Sequence, residues 1–208
     1  MEELEGPVHT AVDDELVWYA AYGSNISPQR FGYYLSGGRP PSAARSVPGA
    51  RDGTAPREMR AMELPGSVFF GWESPTWGGG VAFYDPDVVG RALATAYLIT
   101  HEQFSDLVAQ EMHREIGAEL DLARLRRHRT IELGSGRYDR LLVVEEIDET
   151  PVVTFTCPAA HHPSLRAPSS AYLETIAKGL RDTHHLADDV IADYLGALRP
   201  FRDVAPLS

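Results

Sequence analysis

Trp18-Tyr19-Ala20-Ala21-Tyr22-Gly23-Ser24-Asn25-Ile26-Ser27-Pro28 is the stretch on which the reading of this chain turns. Its aromatic, apolar first half predicts a strand over Leu16–Tyr22, and Gly23-Ser24-Asn25 predicts a tight turn. Ser27 is a good helix N-cap, and Pro28 is well tolerated as the first helical residue. Arg30, Phe31, Tyr34 and Leu35 recur at helical spacing, so a helix follows over Ser27–Leu35 and ends near Gly37-Gly38. Such a strand–turn–helix unit aims backbone N–H groups and the positive end of a helix dipole at one point, which suits an anion. Gly23 lets a ligand approach the backbone, while Ser24 and Asn25 add side-chain donors. The same residues also describe an ordinary strand-to-helix connection, and alone they leave both readings open.

Outward from this unit, residues 1–15 are polar and read as a flexible tail, with 16–208 as a single domain. Arg39 to Pro65 is rich in Pro, Gly, Arg and Ala with little periodicity. It reads as a long excursion with at most short strands, Arg45–Val47 being one candidate. Ser67–Trp72 and Gly80–Tyr84 look like paired strands, and Arg91–Ile99 like a central one. Thr100 with Gln103 forms a capping box for a helix running to about Ile116. Thr130–Leu133, Leu141–Ile147 and Val152–Cys157 read as strands. Two helices close the pattern, one starting at Ser169 or Ser170, the other carrying Ala187, Val190, Ile191, Tyr194, Leu195 and Leu198 as a core stripe. These elements imply a mixed α/β or α+β domain.

Composition narrows the function. The chain has 208 residues, 43% of them hydrophobic and 24% charged, with a net charge of −11. That acidity argues against a nucleic-acid backbone as partner. No apolar run is long enough for a membrane helix, and the acidic start lacks a signal-peptide core. One cysteine excludes an internal disulfide. Together these features predict a cytoplasmic protein.

The helix after Thr100 carries the anomaly. Phe104, Leu107, Val108, Met112 and Ile116 form its apolar stripe, and Glu111 falls on the same stripe, four residues after Leu107. A carboxylate buried there is costly unless paired or neutral, and it suits a proton-transfer role. The alternative is that it lies at the edge of the stripe and reaches water or an arginine. Glu115 is the rival if the helix is rotated by one residue. Cys157 near His161 and His162 is more simply a small buried hydrophobe than a nucleophile. The pairs His161-His162 and His184-His185 lack metal-ligand spacing. Gly78-Gly79-Gly80 lacks the Gly-Lys-Ser/Thr of a phosphate loop, and no Gly-x-Ser-x-Gly elbow occurs. Trp72, Trp77, Phe83 and Tyr84 read as core or pocket wall.

Four segments in order carry a resemblance. They are Tyr22-Gly23-Ser24-Asn25 after its aromatic strand, Trp77-Gly78-Gly79-Gly80-Val81-Ala82, Gln110-Glu111, and Ala167-Pro168-Ser169-Ser170-Ala171-Tyr172. Together they resemble the gamma-glutamylcyclotransferase-like family from Val17 to about Leu198. The chain differs from that family's usual Asp-x-x-Glu-Gly by reading Val108-Ala109-Gln110-Glu111-Met112. The resemblance implies a small, partly closed mixed β-barrel flanked by helices. It implies Glu111 as the catalytic acid and base, Tyr22, Gly23, Ser24, Asn25 and Tyr172 as substrate-binding residues, and no metal or cofactor. The expected reaction cyclises a gamma-glutamyl amide to 5-oxoproline and frees an amine. The implied partner is that small molecule, with neither nucleic acid nor membrane, and a homodimer is compatible. Alternatives are an amide hydrolase or deacylase using the same glutamate, a cyclising or acyl-transfer enzyme of specialised metabolism, and a catalytically silent binding module. The Arg39–Pro65 excursion is the feature expected to reshape the pocket, away from glutathione.

Overall fold

The computed structural model describes residues 15–40, 46–134, 136–198 and 200. Residues 1–14 of the proposed tail and Arg45 of the Arg45–Val47 candidate therefore lie outside the described residues, while Val47 makes an isolated antiparallel bridge with Gly38. Eight strands and five α-helices are present among the described residues. β1 (Leu16–Ala21) is followed by a 3-10 turn (Ser24–Ile26) and α1 (Pro28–Ser36), as the opening stretch predicts. Next come β2 (Glu58–Pro65), β3 (Ser67–Ser74), β4 (Gly79–Asp85), β5 (Arg91–Thr100) and α2 (His101–Glu111). The remainder is α3 (Leu122–His128), β6 (Thr130–Glu132), β7 (Arg140–Ile147), β8 (Thr150–Thr156), α4 (Ser170–His184) and α5 (Asp188–Gly196).

Six strands form one mixed sheet in the order β2-β5-β1-β8-β7-β6. β1 lies inside it, antiparallel to β5 (Trp18 opposite Leu98) and parallel to β8 (Trp18 opposite Val152). β3 and β4 form a separate antiparallel ribbon. The expected barrel is thus not closed by a backbone ladder. Side chains make the join instead: the Thr156 hydroxyl donates to the Tyr84 carbonyl at 2.6 Å and accepts from the Tyr84 N–H at 3.1 Å. Tyr138 donates to the Ala82 carbonyl at 2.9 Å. On the far side, the ribbon bonds to residues 164–167 through Trp72, Arg166 and Gly80 N–H groups.

β2 corrects the expectation of a long irregular excursion. Glu58-Met59-Arg60-Ala61-Met62-Glu63-Leu64 favours helix by propensity and mostly faces solvent. It becomes a strand because its full length pairs with β5, from Glu58 opposite Leu98 to Pro65 opposite Arg91. Residues before it brace the helices: Ala50 N–H bonds the Leu35 carbonyl, and Gln103 Nε2 donates to the Asp52 and Thr54 carbonyls.

α2 starts at the predicted capping box, with reciprocal bonds of 3.1 Å between Thr100 and Gln103. It ends at Glu111, not near Ile116. His113 takes a left-handed backbone (φ 54), Arg114 N–H reaches the Ala109 carbonyl and His113 N–H the Gln110 carbonyl. This is the Schellman arrangement, more often built on glycine. The helix containing Leu122–His128 has no counterpart in the sequence reading. In α5, Ile191 and Leu195 are buried, but Val190 is exposed and leaves the expected stripe.

Candidate active site

The 3-10 turn is held from two sides. From β5, Tyr97 donates to the Asn25 carbonyl and Thr95 to the Ile26 carbonyl, each at 2.9 Å. From above, α4 crosses at Gly179, where an added Cβ would lie 2.6 Å from Ile26 Cγ2 and 2.7 Å from Ser27 N. Only glycine permits that approach. Ile26 and Ser27 are consequently buried, and Ser27 makes no side-chain cap bond. The start of α1 is covered, while Gly23, Ser24 and Asn25 remain on a cavity of about 610 Å³.

Glu111 stands on the wall of that cavity. It is partly exposed rather than embedded in the core, because the helix stops there and the left-handed His113 turns the chain away. Asn25 Nδ2 donates to Glu111 Oε1 at 3.3 Å. Glu115 lies beyond the helix, exposed, and lines neither this cavity nor its neighbour. The buried carboxylate of α2 is Asp106, fully enclosed and bonded to Arg51 N–H at 2.8 Å, Arg51 Nε at 3.0 Å and Gly117 N–H at 3.0 Å.

Five tyrosines line the cavity: Tyr19, Tyr22, Tyr34, Tyr138 and Tyr172. Burial pushes all five hydroxyls above their ordinary range. The Glu111 charge adds to that rise at Tyr19, Tyr34, Tyr138 and Tyr172, so all four stay neutral phenols, and Tyr34 hydrogen-bonds to the carboxylate. Tyr22 donates to the Phe155 carbonyl at 2.6 Å. The Tyr172 oxygen accepts from Ala82 N–H at 3.0 Å, and Ser24 N–H also points at it. That leaves the Tyr172 proton for an acceptor in the cavity. Gly23 serves this contact: a Cβ there would meet the Tyr172 hydroxyl at 3.1 Å.

The sequence reading passed over two cations. Arg30 lines the cavity with its guanidinium 4.8 Å from the Trp77 ring centre, and its Nε has no partner among the described residues. Its position in the first turn of α1, at the positive end of the dipole, was the available signal. Arg137 lies 3.6 Å over Trp72, whose φ of 52 is strained for a bulky residue, at a β-bulge. Trp72 and Trp77 are pocket wall, whereas Phe83 and Tyr84 are core.

A solved structure of a gamma-glutamyl cyclotransferase matches with a TM-score of 0.52 at 18% identity, covering 93% of this chain and 94% of the other. A solved structure of an uncharacterised protein from Homo sapiens matches with a TM-score of 0.53 at 18% identity and the same coverage. The chain has the gamma-glutamyl cyclotransferase-like fold. No protein-family model matches it. A curated relative, histone deacetylase 5 of Arabidopsis thaliana, is 29% identical over 198 residues. That match takes in 86% of this chain but only 30% of the plant protein.

Within this cyclotransferase-like fold, Tyr22, Gly23, Ser24, Asn25, Glu111 and Tyr172 come together on one cavity although the sequence separates them widely. None of the described residues 46–65 lines it, so the excursion braces α1 and α2 rather than shaping the pocket. Cys157 is buried off the cavity, its thiol pushed up by burial. His162 stacks on Phe69, and His184 meets the Ala94 carbonyl. Among the described residues, no group of three or more His, Cys, Asp or Glu side chains is arranged to hold a metal ion. No helix among them is long and apolar enough to cross a membrane.

Proposed function

We propose that this protein cyclises a gamma-glutamyl amide to 5-oxoproline and releases a free amine. The observation that carries the reading is Glu111, a carboxylate that accepts from Asn25 Nδ2 and the Tyr34 hydroxyl and lines a tyrosine-rich cavity. Arg30 takes the glutamyl carboxylate, an ion pair made while shielded by Trp77. Tyr172, with its proton free, donates to the γ-carbonyl oxygen, beside the Gly23-Ser24-Asn25 turn. Tyr22 fixes the cavity floor by its bond to the Phe155 carbonyl.

Glu111 accepts a proton as the substrate's α-amino nitrogen attacks the γ-carbonyl carbon. A C–N bond forms, closing the five-membered ring. The tetrahedral centre then expels the original amide nitrogen, which leaves as an amine carrying the proton from Glu111. Folding the glutamyl chain so that its own nitrogen meets the carbonyl supplies much of the rate, because the step is intramolecular.

A second reading, hydrolysis of an acylated amine by water activated at Glu111, draws on the plant relative, whose name is that of a deacetylase. One experiment separates the readings: incubation with a panel of gamma-glutamyl amines and dipeptides, followed by mass spectrometry. Release of 5-oxoproline supports cyclisation. Free glutamate supports the hydrolase, and intact substrate supports a silent binding module.

A further inference from the structure

Beyond Glu111 lies a second cavity of about 580 Å³. It shares Glu111, His113 and Arg137 with the first, and its far wall carries Glu132, Asp139 and His161. Glu111 is therefore at the junction of two chambers. If the glutamyl half occupies the first, held by Arg30 and Tyr172, the departing nitrogen faces the second. This placement rests on the cyclotransferase reading above.

Asp139 is the telling residue of the second chamber. It is only 4% exposed, yet its Oδ1 has no hydrogen-bond partner among the described residues. A buried carboxylate oxygen without a donor is costly, and such a group calls for a donor from outside the chain. Glu132 adds a second carboxylate to the lining, and it accepts from the Ala159 N–H at 3.4 Å. Arg137 opposes them from the shared wall, but its guanidinium is stacked on Trp72 and meets His113 Nε2 at 3.3 Å. With Glu111, three carboxylates face one guanidinium across this space.

We infer that the second chamber receives the amine half of the substrate and selects amines bearing a further positive charge, which donates to Asp139 and Glu132. The ligand class is a gamma-glutamyl conjugate of a diamine or other basic amine.

Three conjugates of equal length test this. They are the mono-gamma-glutamyl amides of 1,5-diaminopentane, pentylamine and 5-aminopentanoic acid, which end in a cation, a methyl group and an anion. The wild-type protein is expected to release 5-oxoproline from the first with kcat/KM at least about tenfold above the second, the scale of a hydrogen bond to a charged group. Asp139→Asn should bring that ratio towards one. Glu132→Gln, an exposed position that does not threaten folding, should reduce it in the same direction. Calorimetric titration of Glu111→Gln with the same conjugates reads binding without turnover. Preferential binding of the basic conjugate there, with no 5-oxoproline from wild type, retires the cyclotransferase reading and leaves the chamber's selectivity standing. Equal turnover of all three overturns the proposal, and preference for the acidic conjugate overturns it in favour of Arg137. Absence of both turnover and binding overturns both.

Discussion

Asp106 and Glu111 stand on the same helix, and the protein treats them in opposite ways. Asp106 is fully buried and saturated by Arg51 and the Gly117 amide. Glu111 is partly exposed, accepts from Asn25 Nδ2 and the Tyr34 hydroxyl, and faces a cavity. A carboxylate whose lone pairs are filled by its own chain ties segments together and has nothing left to offer a substrate. One that keeps a face open to a cavity at the negative end of a helix dipole costs stability, and is useful for that reason.

The largest expected effect tests the functional half of this contrast. Glu111→Gln should lower 5-oxoproline formation by at least about a hundredfold, the lower end for loss of a general acid–base group. Its unfolding free energy should stay within about 0.5 kcal/mol of wild type, as for a substitution outside the core. Near-normal turnover in this variant would break the comparison.

Asp106→Ala should do the reverse. Losing the carboxylate leaves the Gly117 N–H and the Arg51 guanidinium short of partners, at a cost of about 1–3 kcal/mol in chemical denaturation. Turnover per folded molecule should stay at the wild-type level. A fully stable variant with impaired catalysis would exchange the roles assigned to the two acids.

A smaller effect sharpens the point that the helix is a shared support. Thr100→Ala removes one side of the capping box and should cost about 1 kcal/mol in stability. Activity at temperatures well below unfolding should not change. The smallest effect is expected at Cys157, buried and off the cavity. Cys157→Ala should turn over like wild type, and thiol alkylation of the folded protein should be slow, since burial holds the group as a thiol. A folded but inactive Cys157→Ala would rule out the glutamate-centred mechanism.

The contrast between the two acids also marks how far the sequence could be read. Glu111 was legible as an anomaly because helical spacing is local, but its reason was misread. The spacing put it on the core stripe, whereas the cavity face follows from the helix ending at that residue. The end was hidden because His113, not a glycine, takes the left-handed turn. Asp106 looked unremarkable because its partner Arg51 lies 55 residues away. Arg30 showed only a cation at the wrong end of a helix dipole.

By itself, the sequence determined what depends on neighbours a few residues apart. That includes the β1–turn–α1 unit, the Thr100–Gln103 cap, the β3–β4 pair and the closing helices, each set by side-chain periodicity or local capping. The tertiary structure decided what depends on distant segments. β2 is a strand only because the open edge of β5 accepts it over its whole length, against its helical propensity. The barrel stays open to a backbone ladder because Thr156 and Tyr138 make the join with side chains. Tyr22, Gly23, Ser24, Asn25, Glu111 and Tyr172 share one cavity because α4 crosses the turn at Gly179, a backbone-to-backbone approach that no local pattern of residues can encode.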